Sequence, residues 1–463
     1  MAARFANPDA IRADFSAAMS AMYRSEVPAY GDLLEIVEQT NAETLGGAQA
    51  AVLNLTPDED TTRISQERHG AIRLGTAQEL AMMARVFAVM GMYPVGYYDL
   101  SAAAVPVHST AFRPVSRTAL AANPFRVFTS LLRLELIADE ALRAQAAAIL
   151  DGRQIFTPNA IALTQKAESA GGLSEQDAQA FVAEVLETFR WHADACVDIQ
   201  TFEQLNDTHR LIADVVSFKG PHINHLTPRT LDIDAAQAGM IARGLPAKAV
   251  VEGPPRRECP ILLRQTSFKA LEEKVNFPSK DGTETIGSHT ARFGEIEQRG
   301  VALTPKGRAL YDQTLAAVRA EILPASDGTN ADAYMAALDQ AFQVFPDSWR
   351  ALYDEGLAHF KFSIAQMPSG KVDDMSVSAL LDAGVLGLSP IIYEDFLPVS
   401  AAGIFQSNLG DAAAQDRHAA SSKSAFEAAL GAETADEFAL YAQIEQESLA
   451  TCLDQIRKAG QSA

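Results

Sequence analysis

The 463-residue sequence predicts an α+β fold, a sheet carrying large helical additions. Three observations predict it. From Arg68 onward the pattern runs strand, helix, then several strands. From Leu211 the same order recurs in outline, although no letter-by-letter repeat accompanies it. Long helical patterns occupy both ends of the chain.

The N-terminal stretch, Pro8 to about Ala50, has helical periodicity. Asn7 or Asp9 can cap a helix through Tyr23, and Leu33, Leu34, Ile36 and Val37 mark a second over Tyr30 to Thr44. The polar break Thr56 to Thr62 leads to a strand at Arg68 to Leu74. Thr76 is a suitable N-cap for a helix over Ala77 to Met90, which Gly91 ends. Strands are expected at Pro94 to Leu100, Ala111 to Arg117 and Phe125 to Leu136. Helices follow at Asp139 to Leu150, Ser174 to Ala195 and Ile199 to Asn206. The second pass predicts a strand at Ile212 to Phe218, a short helix at Asp234 to Ala242, and strands at Lys248 to Val251, Ile261 to Phe268 and His289 to Gln298. Helices return at Pro305 to Leu323, Ala331 to Phe345 and Ser424 to Ala459, with an apolar, turn-rich stretch at Val385 to Phe405.

This divides the chain into an N-terminal helical segment (1–55), an α+β core (56–300) with a helical insert at about 139–206, a helical segment (301–375), a core strand and loop segment (376–410), and C-terminal helices (411–463). A content of 48% hydrophobic and 21% charged residues is that of an ordinary globular protein, not a disordered one. The formal charge of −21 argues against nucleic-acid or anionic-membrane partners. An anionic substrate would have to be gripped by a few placed cations. The three cysteines, Cys196, Cys259 and Cys452, are too few and scattered for a disulfide framework or a thiolate zinc site. With no apolar signal core and no 18-residue apolar run, the expectation is a cytoplasmic protein.

Chemistry concentrates in three segments. In Arg68-His69-Gly-Ala-Ile-Arg73, strand alternation puts His69, Ala71 and Arg73 on one face. That sets an imidazole beside a guanidinium whose planar fork suits a carboxylate. Pro221-His-Ile-Asn-His225-Leu-Thr-Pro-Arg229 offers His222 or His225, and the local sequence does not choose between them. Glu295 and Glu297 share a face if their segment is a strand, a costly arrangement unless they are paired or metal-bound. Two imidazoles and one carboxylate facing one ion leave open positions, the donor set of non-haem Fe(II) oxygenases. Arg264 belongs to a second polar cluster on an apolar strand. The turn at Leu397-Pro-Val399-Ser400 offers backbone N–H groups that could close over a small ligand. The bland alternatives are core histidines with ordinary hydrogen bonds, a solvated acidic strand face paired with Arg292 or Arg299, and a plain loop. No dinucleotide, Walker, zincin or hydrolase-elbow motif is present.

Taken in order, these segments, with Arg264-Gln-Thr-Ser-Phe268, Arg292-Phe-Gly-Glu295-Ile-Glu-Gln-Arg-Gly300, Ala302-Leu-Thr-Pro-Lys-Gly307 and Leu397-Pro-Val-Ser400, resemble the 2-oxoadipate dioxygenase/decarboxylase family, a branch of the vicinal-oxygen-chelate metalloenzymes. The resemblance implies paired βαβββ modules forming a metal-centred sheet. It implies an Fe(2+) enzyme that takes 2-oxoadipate and O2 to D-2-hydroxyglutarate and CO2 in lysine catabolism. His69, His225 and Glu295 would be the iron ligands, Arg73 would hold a substrate carboxylate, and Val399 would line the pocket through its backbone, with Ser400 and Arg264 as further substrate-binding candidates. The rival expectations are an extradiol-type dioxygenase or lyase of the same fold, and a non-catalytic small-acid binding protein.

Overall fold

A five-stranded mixed sheet with order β2-β3-β4-β1-β5 holds the centre of the computed structural model. Its strands are β1 (Arg68–Leu74), β2 (Tyr93–Asp99), β3 (Val107–Arg113), β4 (Arg126–Leu132) and β5 (His225–Pro228). The structure describes residues 5–47, 61–101, 104–268, 272–279, 284–290, 292–325, 328–368, 375–397 and 422–462.

The chain enters the sheet through β1, leaves through the helix Ala77–Val89, and returns in three antiparallel passes, β2, β3 and β4. Thr76 caps that helix, as the sequence predicts, and Glu79 completes a capping box with it, worth on the order of 1 kcal/mol. β4 then runs parallel to β1, with His69 opposite Arg126 and Arg73 opposite Ser130. On its other edge β1 pairs antiparallel with β5, placing Ala71 opposite His225 and His69 opposite Thr227. Directly opposed residues project to the same side of a sheet. The register therefore sets His225 and Thr227 on the face that carries His69 and Arg73.

A pair of strands, β6 (Leu263–Ser267) and β9 (Glu295–Arg299), continues from β5 through a single bridge between Arg229 and Glu297. Between them lies the hairpin of β7 (Glu273–Pro278) and β8 (Glu284–His289). Two further strands, β10 (Phe360–Ile364) and β11 (Leu386–Pro390), pair near the C-terminal helix Glu437–Ser462. One face of the central sheet, including Ile72 and Leu74, packs on the N-terminal helices Pro8–Glu26 and Pro28–Gly46 and on Ala77–Val89. Asn7, rather than Asp9, caps the first helix.

Several expectations are corrected. Ile212 to Phe218, predicted as a strand, lies mostly in the helix Arg210–Ser217, in which every residue from Leu211 to Ser217 is buried. In so short a segment the β-branched Ile212, Val215 and Val216 resemble a strand, although Arg210, Asp214 and Ser217 fall on one helical face. The strand expected at Ala111 to Arg117 lies earlier, at β3. His289 to Gln298 is not one strand: His289 ends β8 and Glu295 begins β9. Ser174 to Ala195 is helical only over Glu175–Phe189. Lys248 to Val251 forms no strand, only flanking bridges from Ala247 and Glu252. The helix Pro158–Ala170 was not expected, although Thr157 caps it and proline opens it.

Candidate metal centre

Three buried side chains from three strands converge on one point. β1 contributes His69, β5 contributes His225 and β9 contributes Glu295. His69 Nε2 lies 3.2 Å from Glu295 Oε2, and His225 Nε2 lies 3.6 Å from the same oxygen. The two imidazole rings stand edge to face at 87° with centroids 5.6 Å apart. Neighbouring ligands of an ion with bonds of about 2.1 Å sit roughly 3 Å apart, so these separations fit a shared ion.

The surroundings support the same reading. His225 Nδ1 is buried and has no hydrogen-bond partner among the described residues. Burial, opposed by Glu295 and aided by the positive charge of His69, pushes the His225 pKa down to about 4, so its ring is neutral and offers a lone pair. Burial works against the Glu295 carboxylate, but both histidines and the Thr227 hydroxyl overcome it and hold its pKa below the ordinary value. Thr227 Oγ1 donates to Glu295 Oε2 at 2.9 Å and Gln265 Nε2 donates at 3.2 Å. A neutral imidazole, a second imidazole and a fixed carboxylate form a donor set suited to Fe(II).

Glu297, two residues along β9, reaches the other side of the same ring, with Oε1 3.1 Å from His69 Nδ1. It is clamped by Arg299, which donates from Nε and Nη2 at 2.8 Å each. The alternation that set both glutamates on one face therefore holds, and the two carboxylates bracket His69. The expected arginine partner is there too, but buried rather than solvated. Behind Glu297, Arg126 bridges Glu67 and Glu394, Arg63 donates to Glu394 at 2.6 Å, and Arg229 donates to Glu67 at 3.1 Å. Such a network is costly to bury and depends on every partner being present.

A cavity with about 600 Å³ of space, including open solvent at its mouth, lies over the cluster. Its walls are largely apolar, with Leu100, Val107, Phe128 and Phe396 among them, and Arg73 is the only lysine or arginine among the described lining residues. Arg73 Nη1 donates to Asp214 Oδ2 at 2.7 Å. His222 is not part of the cluster. Its Nε2 lies 3.3 Å from Asp214 Oδ1 and its ring meets Trp191 edge-on at 4.6 Å.

Arg264 is corrected as a candidate for substrate contact. It points away from the cavity and holds Asp234 with two bonds of 2.7 and 2.9 Å. Strand alternation gives the cavity its neighbour Gln265 instead. Val399 and Ser400 lie outside the described residues, while Leu397, just before them, is buried in the cavity wall. Sequence reasoning missed Gln265, Phe396 and Asp214. Phe396 packs edge-on against His69 at 4.9 Å, and Asp214 was hidden inside the helix misread as a strand. Gly70, between His69 and Ala71, is closely packed. A Cβ there would lie 2.5 Å from Ile223 Cδ1 and 3.1 Å from the His225 carbonyl oxygen.

Comparison with known proteins gives consistent findings. Residues 15–408 match a family model described as 2-oxoadipate dioxygenase/decarboxylase. The chain is 57% identical over 452 residues to the 2-oxoadipate dioxygenase/decarboxylase of Pseudomonas putida, covering 97% of each chain. It is 54% identical to the protein of that name from Escherichia coli K12, covering 96% of this chain and 98% of that one. Among solved structures it is similar to the hydroxyglutarate synthase of Pseudomonas putida crystallised with 2-oxoadipate, with a TM-score of 0.90, 56% identity, and coverage of 98% and 99%.

Proposed function

We infer the reaction from descent: the chain belongs to the 2-oxoadipate dioxygenase/decarboxylase family. The proposed reaction is the conversion of 2-oxoadipate and O2 to D-2-hydroxyglutarate and CO2, carried out with Fe(II) in cytoplasmic lysine catabolism. The substrate and O2 together contain every atom of the two products, so the reaction needs no separate 2-oxo acid cosubstrate. The observation that carries this reading is the meeting of His69, His225 and Glu295 at the floor of a cavity walled by Arg73. We read β1, its helix, and β2 to β4 as one βαβββ module of the vicinal-oxygen-chelate type, with β5 to β9 as a modified second module.

His69, His225 and Glu295 would hold the iron, whose chemistry when bound is chelation of a 2-oxo acid and redox partnership with O2. Glu297 fixes the orientation of the His69 ring from its far side. Thr227 and Gln265 keep the Glu295 carboxylate in place. The apolar walls exclude water from the reacting end of the substrate and accommodate its methylene chain. Arg73 holds the remote carboxylate and fixes how far the chain extends towards the metal ligands.

The test is O2 consumption by Fe(II)-reconstituted protein given 2-oxoadipate, with product identification and a His69→Ala control. Uptake yielding a five-carbon hydroxy diacid, abolished in the control, is the expected result. Absence of uptake by protein with iron demonstrably bound would overturn the reading.

A further inference from the structure

Asp214 is a buried carboxylate that the reaction as described does not use, and three cationic or ring-nitrogen groups surround it. It sits on the helix Arg210–Ser217. Its Oδ2 accepts from Arg73 Nη1 at 2.7 Å, while its Oδ1 lies 2.8 Å from His289 Nε2 and 3.3 Å from His222 Nε2. Both histidines are caged by aromatic rings. Phe218 lies 5.1 Å from His289 and 5.7 Å from His222, Phe202 meets His289 edge-on at 5.6 Å, and Trp191 closes on His222 at 4.6 Å. The carboxylate is thus surrounded by groups from three parts of the chain: β1, the segment before β5, and the end of β8.

We propose that Asp214, anchored by His289 with His222 close beside it, is a positioning residue that fixes the reach of Arg73 and thereby selects the chain length of the diacid. The geometry supplies the reason. His69 and Arg73 project from the same face of one strand, four residues and so roughly 13 Å of backbone apart. The strand fixes that spacing, but an arginine side chain is long and rotatable, and left alone it would follow carboxylates at several depths. Tying Nη1 to a buried, immobile carboxylate removes that freedom and turns the guanidinium into a fixed stop. The charge state agrees: burial opposes ionisation of Asp214, but His222, His289 and Arg73 hold its pKa well below the ordinary range. This inference rests on the diacid reading above and deepens it.

The experiment is calorimetric titration of the Fe(II)-loaded, full-length protein under nitrogen with straight-chain 2-oxo diacids of five, six and seven carbons. Wild type is compared with Asp214→Asn and His289→Gln. Wild type is expected to bind the six-carbon diacid most tightly. Asp214→Asn should weaken that binding by about 10- to 100-fold, the scale of a lost charge-assisted hydrogen bond, and bring the three affinities together. His289→Gln should move both quantities in the same direction by less, and it keeps the test alive if Asp214→Asn does not fold. Iron stoichiometry should be unchanged in both variants. A folded Asp214→Asn protein, or failing that His289→Gln, with wild-type affinity and wild-type chain-length preference would overturn the inference. So would lower thermal stability with the preference intact, because that is a purely structural role. Failure of wild type itself to bind any diacid would instead sink the functional reading beneath it.

Discussion

Replacing Glu297 with glutamine should separate a residue that orients a ligand from one that merely packs beside it. The side chain is fully buried, and its two oxygens take both Arg299 donors at 2.8 Å, approach His69 Nδ1 at 3.1 Å and lie 3.8 Å from Arg126. Glutamine keeps the shape and one acceptor oxygen but removes the charge. The network of Arg63, Arg126, Arg229 and Arg299 against Glu67, Glu297 and Glu394 then has four cations and two anions. Breaking a buried pair by removing one partner costs about 3–5 kcal/mol, and the retained acceptor places this case at the lower end, about 3 kcal/mol. The oriented imidazole is lost as well, and disturbing such supporting contacts weakens metal affinity by about 10- to 100-fold. Urea unfolding measures the first effect, and competition for Fe(II) against a chelator of known strength measures the second. If stability falls while iron affinity stays at the wild-type value, Glu297 does not orient His69 and the bracketed-ring argument is wrong.

Three further outcomes follow from the geometry. Arg73→Lys keeps the charge but gives up the planar fork, so KM for the diacid should rise at least about tenfold with a smaller change in kcat; unchanged kcat/KM would remove Arg73 from substrate binding. Glu437 is pushed up to about 7 by burial and by the nearby charge of Asp395, while Arg308, Arg113 and the Tyr98 hydroxyl oppose the shift. A raised carboxyl pKa favours folding fully below the unfolded value and loses that contribution as pH rises through about 7, so ionisation costs about 3 kcal/mol at pH 8. Glu437→Gln should therefore raise Tm at pH 8 and leave it nearly unchanged at pH 5, and an equal change at both values would refute the assignment. Gly70→Ala would press on Ile223 and the His225 carbonyl, costing about 1–3 kcal/mol and loosening Fe(II) by displacing the His225 strand; wild-type iron affinity would show that the strand does not transmit the strain.

What could be read from the sequence depended on how local the determinant was. His69 and Arg73 share a face because strand alternation is a property of the segment itself, and the burial of β1 bears this out. The N-cap at Thr76 is equally local. The choice between His222 and His225 is not, since it is made by the pairing of Ala71 with His225 across strands that lie far apart in sequence. The two glutamates show the same limit. Period two placed them together, but only the fold determines that one meets Nε2 of His69 and the other Nδ1. Arg264 stands out because arginine looks like an anion binder, yet Asp234 holds it. Asp214 escaped notice for a different reason: Arg210, Asp214 and Ser217 share one helical face, but over so short a segment the Ile and Val residues between them resemble a strand.

The overall charge poses a further question, because a dianionic substrate must approach a protein carrying −21. Arg73 is the only lysine or arginine among the described cavity-lining residues, and its side chain is only 16% exposed, so no broad basic surface at the cavity draws the substrate in. Long-range repulsion between exposed charges is screened over about 8 Å at physiological ionic strength, whereas a contact inside an apolar-walled cavity is screened far less. Raising the salt from about 0.01 to about 0.15 M should therefore remove repulsion while leaving the decisive contacts intact. The Kd of the six-carbon diacid for Fe(II)-loaded protein under nitrogen should stay level or tighten severalfold. This is the opposite of the behaviour of a protein that gathers anions with an exposed positive field. A tenfold weakening over that range would mean that surface cations outside the cavity govern capture, and the account of a single partly buried arginine selecting its ligand at contact would have to be abandoned.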